Sequence, residues 1–227
     1  MKKILVLSLV SMVAISLSSK DIGKYDFDYE ISPDIIKSIS VSLPAPDYST
    51  ISSKSSQNTV DHFKYMPIFK KARYEYEYES TNFTGKKKVI VEFKGYSEKD
   101  ALASASITYF NKKDAKTIDY SIKITEKGIL ATDSILGNER IEIPIPLFKD
   151  KRWTENGNES RVIGFSSKIQ TPYSNFDNAL KILTNVSNSE AGKIERYYAE
   201  NIGLVKEVIK IEDKTDILTL VNYTEIK

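Results

Sequence analysis

Three glutamates two residues apart, Glu75, Glu77 and Glu79, interleave with Tyr74, Tyr76 and Tyr78 in the stretch RYEYEYES. Carboxylates are the ligand type of hard cations such as calcium. Spaced two apart on a strand, they form a ladder and do not wrap an ion. Lysines on neighbouring strands, such as Lys88 and Lys94, are their expected partners. The tyrosines are the better candidates for function. A phenol joins an apolar ring to a polar tip, so a concave sheet lined by Tyr74, Tyr76, Tyr78 and Tyr120 could hold a lipid, a glycan or a peptide. The alternative is that tyrosine fills the core as a good strand former. The single histidine, His62, is the one residue on which a Ser-His-Asp arrangement could be built. The chain has no cysteine, which removes disulfides, thiolate nucleophiles and thiolate metal sites. The 9 glycines show no phosphate-binding spacing. No catalytic residue, metal or cofactor is expected. Hydrolysis by a carboxylate pair alone stays open as a minor alternative.

The elements that must position these side chains read as strands. KKVIVEFKGY puts Val89, Val91 and Phe93 on one face, and TIDYSIKIT does the same with Ile118, Tyr120, Ile122 and Ile124. Ile141, Ile143 and Ile145 form another row, as do Ile163, Phe165 and Ile169. Alternation of period two over so many segments predicts half-buried antiparallel strands, about ten in all. Thr84-Gly85, Lys127-Gly128, Gly137-Asn138 and Asn156-Gly157 supply the turns between them. The expected fold is mainly β: one antiparallel meander, strongly curved into a half-barrel or sandwich, with few or no helices. Pro144 and Pro146 cannot donate to a ladder, so their strand should lie at an edge or end there. NFDNALKILTNVS fits both a helix and a strand, and the strand is preferred.

At the N-terminus, Lys2 and Lys3 precede an uncharged apolar run from Ile4 to Ile15, followed by small residues at Ser16 and Ser18. That order is a secretory signal peptide over 1–18, and the run is too short for a spanning helix, which needs about 20 residues. A Ser-, Thr- and Pro-rich arm over 19–65 and a β-domain over 66–227 complete the expected organisation. Export to the periplasm or beyond follows, with no lipid anchor through cysteine and no transmembrane segment in the mature chain. Without Lys2 and Lys3, the 33 basic residues fall to 31 and equal the 31 acidic ones. A neutral chain without a basic stripe argues against nucleic-acid binding.

The stretch ERYYAENIGLVKEVIKIED joins two strand-like runs at Asn201 and Gly203. Tyr197, Tyr198 and Gly203 are read as a closing hairpin, with Gly203 free to take a positive φ. The motif YYA followed by GLVK resembles the closing segment of a group of uncharacterised bacterial exported proteins and lipoproteins. DKRWTE around Trp153 and IQTPYSNFDNALKIL around Phe176 stand in the same order as in that group. The likeness spans Leu147 to Lys227. It implies an envelope β-domain loosely like the curved-sheet lipoprotein carriers, and it brings no catalytic residues. The chain departs from the group in lacking a lipidated cysteine and in having Asn201 where glycine is common. Taken together, these readings predict a non-catalytic envelope protein binding an apolar or amphipathic ligand. The alternative is a structural protein with an envelope protein partner and no small ligand.

Overall fold

A computed structural model describes residues 59–110, 114–187 and 192–226. It contains twelve strands: β1 Ala72–Ser80, β2 Lys87–Ser97, β3 Leu102–Phe110, β4 Ala115–Ile124, β5 Gly128–Ser134, β6 Gly137–Pro144, β7 Arg152–Glu155, β8 Asn158–Gln170, β9 Asn175–Asn185, β10 Lys193–Ala199, β11 Gly203–Ile211 and β12 Lys214–Glu225. Among the described residues, helical structure is limited to a 3-10 turn at His62–Lys64. All twelve strands form one antiparallel sheet in the order β6-β5-β4-β3-β2-β1-β12-β11-β10-β9-β8-β7. Two six-stranded meanders are therefore joined along a central seam between β1 and β12, where Tyr74 lies opposite Tyr223 and Tyr78 opposite Leu218.

A twisted sheet this wide curls, and its two edges return to each other. The loop from Ile145 to Lys151 carries the chain from β6 at one edge to β7 at the other. No ladder joins these edges among the described residues; side chains do the work. The Glu155 carboxylate accepts the Ile141 N–H at 2.6 Å, and Asn156 Nδ2 donates to the Glu139 carbonyl at 3.1 Å. The result is a nearly closed barrel. β6 ends at Pro144 and is an edge strand, as that proline requires.

The inward faces are mainly apolar, apart from a few buried charges, and the outward faces are charged. In β1, Ala72, Tyr74, Tyr76 and Tyr78 are buried, while the glutamates between them point outward. Glu75 pairs with Lys88 at 2.7 Å, Glu77 and Glu79 with Lys86 at 2.7 and 3.2 Å, and Arg73 with Glu92 at 2.7 Å. The glutamate row is a solvated ladder; Lys94 serves Asp119 instead. A wall with this outer face is the inverse of a membrane-spanning barrel, whose apolar band faces lipid.

Three details depart from the sequence reading. The strands number twelve, not about ten, because the segments from Gly128 to Ser160 split into short pieces. In β6, Ile141, Glu142 and Ile143 are all buried: Ile143 joins the core as expected, but a register shift opposite Ile129/Leu130 breaks the alternation, so Glu142 also faces the interior and Ile141 lies outside the core cluster. In β8, Val162 is fully buried in place of Ile163, because bulges at Val162/Gly164 and Gly164/Ser167 shift the phase before Phe165 and Ile169 reach the interior side. The ambiguous segment is a strand, β9.

The leader over 1–18, and the arm as far as residue 58, lie outside the described residues. Residues 59–65 cross the end of the barrel where β1 begins, called the mouth here. Val60 forms an isolated bridge with Leu147, Tyr65 is buried, and the Asn201 N–H donates to the Lys64 carbonyl at 2.6 Å.

Candidate functional site

The tyrosine face lies inside the barrel. Tyr74, Tyr76 and Tyr78 are 2–3% exposed, and each phenol is engaged. Tyr74 donates to the Ile202 carbonyl at 2.7 Å, Tyr76 to the Leu204 carbonyl at 2.9 Å, and Tyr78 to Asp216 Oδ1 at 3.1 Å. These bonds reach β12 and, one strand beyond it, the start of β11, and so brace the central seam. Tyr74, Tyr76 and half-buried Tyr120 line one small chamber together with Arg140, Glu142 and Tyr198; Tyr78 lies outside it, against Phe83 at 5.3 Å. The chamber measures about 40 Å³. One water needs ~10–15 Å³ on such a measure, so it has room for about three waters, far short of a lipid. Burial holds the Tyr76 and Tyr120 hydroxyls well above their usual range, so both are neutral phenols.

Beside the chamber lies a cluster that the sequence reading missed. Arg196 (β10) and Glu207 (β11) are register partners across the hairpin, and both are essentially inaccessible. Each reaches past the other to β6 on the opposite wall. Arg140 bonds Glu207 and also Glu142, the latter from Nε at 2.8 Å. Arg196 Nη1 donates to the Ile141 carbonyl at 3.0 Å and lies 3.5 Å from Glu142, and Tyr198 donates to the same carboxylate. Burial works to raise the Glu142 carboxyl, but Arg140 and Arg196 outweigh it and hold it below the usual carboxylate range. Two arginines and two glutamates leave the cluster neutral. The cluster clamps edge strand β6 onto β10 and β11. A signal was present: the inward rows Ile194-Arg196-Tyr198 and Val205-Glu207-Ile209 each carry a single charge, of opposite sign, at opposed positions.

The hairpin itself turns where Asn201 and Gly203 take φ of 61° and 106°. A side chain at Gly203 would meet only ordinary contacts, so the backbone angle is what demands glycine. Tyr197 donates to Glu195 at 2.6 Å, and Glu195 also pairs with Lys181 at 3.0 Å. Tyr198 belongs to the buried clamp.

At the mouth, an open groove of about 630 Å³ runs between residues 60–65 and the β8–β9 sheet. Tyr65, Phe165 and Phe176 form its apolar lining with Val60 and Ala199, and Asn175, Asp177, Asn178 and Glu200 its polar side. The Tyr65 and Phe165 rings stand 5.8 Å apart at 39°. Tyr65 donates to Glu200 at 3.2 Å, and its hydroxyl is pushed up to about 12 by burial and by the Glu200 charge. The β8 bulges bring Phe165 here, which is why strict alternation did not foretell the groove. His62, at the same end, has its ring tilted at 49° to that of Phe63 with centres 4.2 Å apart, and burial holds its imidazole pKa below the usual value.

No family model and no curated protein matches the chain. Solved structures that resemble it include two exported-type proteins. One is an inferred lipoprotein from Parabacteroides distasonis ATCC 8503, 11% identical, covering 73% of this chain and 100% of its own, with a TM-score of 0.47. The other is an inferred exported protein with YmcC-like fold from Bacteroides fragilis NCTC 9343, also 11% identical, covering 67% of this chain and 95% of its own, with a TM-score of 0.44.

Proposed function

We propose that this chain is an exported, non-catalytic envelope protein that binds an apolar or amphipathic ligand in the groove at the barrel mouth. The observation that carries the reading is the contrast between two spaces. The chamber beneath Tyr74, Tyr76 and Tyr120 holds about 40 Å³, whereas the mouth groove holds about 630 Å³. Ligand sites are commonly ~300–1,000 Å³, apolar with a few polar groups, and found in the mouths of barrels. The groove fits that description, with three aromatic rings facing amides and acids. The tyrosine row then serves as the rigid core that holds the groove in shape. Export is supported by the basic, apolar and small-residue order of residues 2–18.

Native mass spectrometry of the protein purified from its exported fraction tests the reading, with solvent extraction to identify what is released. A bound mass is expected in the wild type and in Tyr76→Phe, and its loss in Phe176→Ser at an unchanged melting temperature. A clean unliganded wild type, or a ligand retained equally by Phe176→Ser, refutes the groove.

A further inference from the structure

The ladder between β4 and β5 is shorter than either strand. It pairs Ile122, Lys123 and Ile124 with Ala131, Leu130 and Ile129, and then stops. Its last rung is a side chain: the Ser121 N–H donates to Thr132 Oγ1 at 3.0 Å, where a ladder would offer a carbonyl. Beyond Thr132 the β5–β6 hairpin leaves the sheet to cover the end of the barrel opposite the mouth. Its tip, Ile135 and Leu136, is buried, and the Tyr109 hydroxyl of β3 donates to the Ile135 carbonyl at 2.7 Å. Residues 115–120 therefore pair with β3 on one side and, among the described residues, with no strand on the other.

The direction of the Ser121 N–H fixes what this edge presents. Main-chain groups alternate along a strand, so Ala115, Thr117 and Asp119 aim their N–H and C=O groups the same way. All three are exposed, and between them lie Ile118 and Tyr120, half-buried against the core. No proline or bulge interrupts this stretch to guard the edge. A row of donors and acceptors repeating every ~7 Å is matched by another extended chain.

We infer that residues 38–43 of this chain add to β4 as that strand. Their sequence, SISVSL, alternates strictly, with Ile39, Val41 and Leu43 apolar and Ser38, Ser40 and Ser42 polar, and it stops at Pro44. Added to β4, the apolar row covers Ile118 and Tyr120, and the serines face out beside Thr117 and Asp119. A second alternating run, residues 25–31, would instead set Asp26, Asp28 and Glu30 beside Asp119, and like charges across a ladder repel. The reach is sufficient. Val60 bridges Leu147, just past the end of β6, and β6 lies two strands from β4. Two strand spacings are about 10 Å and the length of β4 about 30 Å. The 16 residues from Leu43 to Thr59 span up to ~53 Å when extended. A tether of this kind sets a local concentration on the order of millimolar. A second copy joined through so short an edge would bury far less than the ~1,000 Å² of a lasting interface. Addition at β4 does not depend on what the mouth groove holds.

Amide hydrogen exchange on the exported protein, shown by mass to retain residues 38–43, tests it. The Thr117 and Asp119 N–H groups are the probes, and the Ile107 N–H in β3 is the folding control. Both probes are expected to be protected in the wild type and to exchange about tenfold faster or more in Ser40→Pro/Val41→Pro, with Ile107 unchanged. Adjacent prolines remove a donor from either side of the added strand, so the pairing is broken whichever residues face β4. The inference is overturned if the two amides exchange at unfolded-chain rates in the wild type, or if the double variant protects them equally. It is also overturned if their protection falls on dilution, which would give the edge to a second copy. Equal quickening of Ile107 overturns it too, because residues 38–43 would then belong to the core and not to an added edge.

Discussion

Replacing Glu142 by glutamine tests the clamp on β6 most directly. The carboxylate is buried, accepts from Arg140 and Tyr198, and lies 3.5 Å from Arg196. The amide removes one negative charge and leaves Arg140, Arg196 and Glu207 with a net positive charge inside the barrel. Breaking a buried pair from one side costs about 3–5 kcal/mol, mostly because the remaining charge is uncompensated. For a domain of this size, about 2–4 °C of melting temperature is lost per kcal/mol, so a fall of about 6–20 °C is expected by calorimetry at pH 7. The pH dependence carries a second signature. The Glu142 carboxyl is lower in the folded chain than in the unfolded one, so its contribution is complete above its unfolded value, about 4.3. It is lost as pH falls through the folded value, and the gap between wild type and variant should narrow below about pH 4. Glu92→Gln, which removes the exposed partner of Arg73, is the control and should cost under about 1 kcal/mol. Hydrogen exchange at the Ile141 amide should also quicken in the variant, since the clamp holds that edge. A loss no larger than the control's, or a gap that widens in acid, would refute the reasoning.

Two further outcomes follow from the backbone and from the mouth. Gly203→Ala should destabilise by about 1–3 kcal/mol in urea unfolding, because a side chain at φ 106° is strained, while Gly164→Ala, with open space around it, should be close to neutral. Spectrophotometric titration should find the Tyr65 phenol ionising near 12, in a difference against Tyr65→Phe. Because its folded value is raised, the stability it contributes is complete below about pH 10 and lost as pH climbs through 12, so the variant should flatten that alkaline decline.

Much of this architecture was legible because period-two alternation is a local property. Tyr74, Tyr76 and Tyr78 face inward because their neighbours are charged, and no other arrangement of β1 buries them. Pro144 marks an edge for a reason that needs no neighbour. The functional geometry was less legible because it depends on which strands meet. Glu142 looks like an outward residue between two isoleucines until β6 is known to lie opposite β10 and β11, where Arg196 awaits it. Phe165 looks like one more inward residue until the β8 bulges carry it to the mouth. The tyrosine row shows in the sequence as amphipathic side chains, but where its hydroxyls go depends on the fold: they are spent on backbone and side-chain acceptors within the barrel.

The central seam has a consequence for how the chain is made. β1 and β12 are neighbours in the sheet but stand at opposite ends of the described sequence; the Tyr78–Asp216 bond alone spans 138 positions. Closing so long a loop is slow compared with zipping the hairpins on either side of it. Each six-stranded meander can therefore assemble early, yet the two cannot join until the last strand has been delivered. The closed barrel is therefore unavailable until β12 has been made. The same order exposes β1 and β12 as long unpaired edges in the interval, an invitation to edge-to-edge association. Chains cut short before β12 would keep β1 and β11 open for good, and aggregation in place of a smaller soluble barrel is their expected fate.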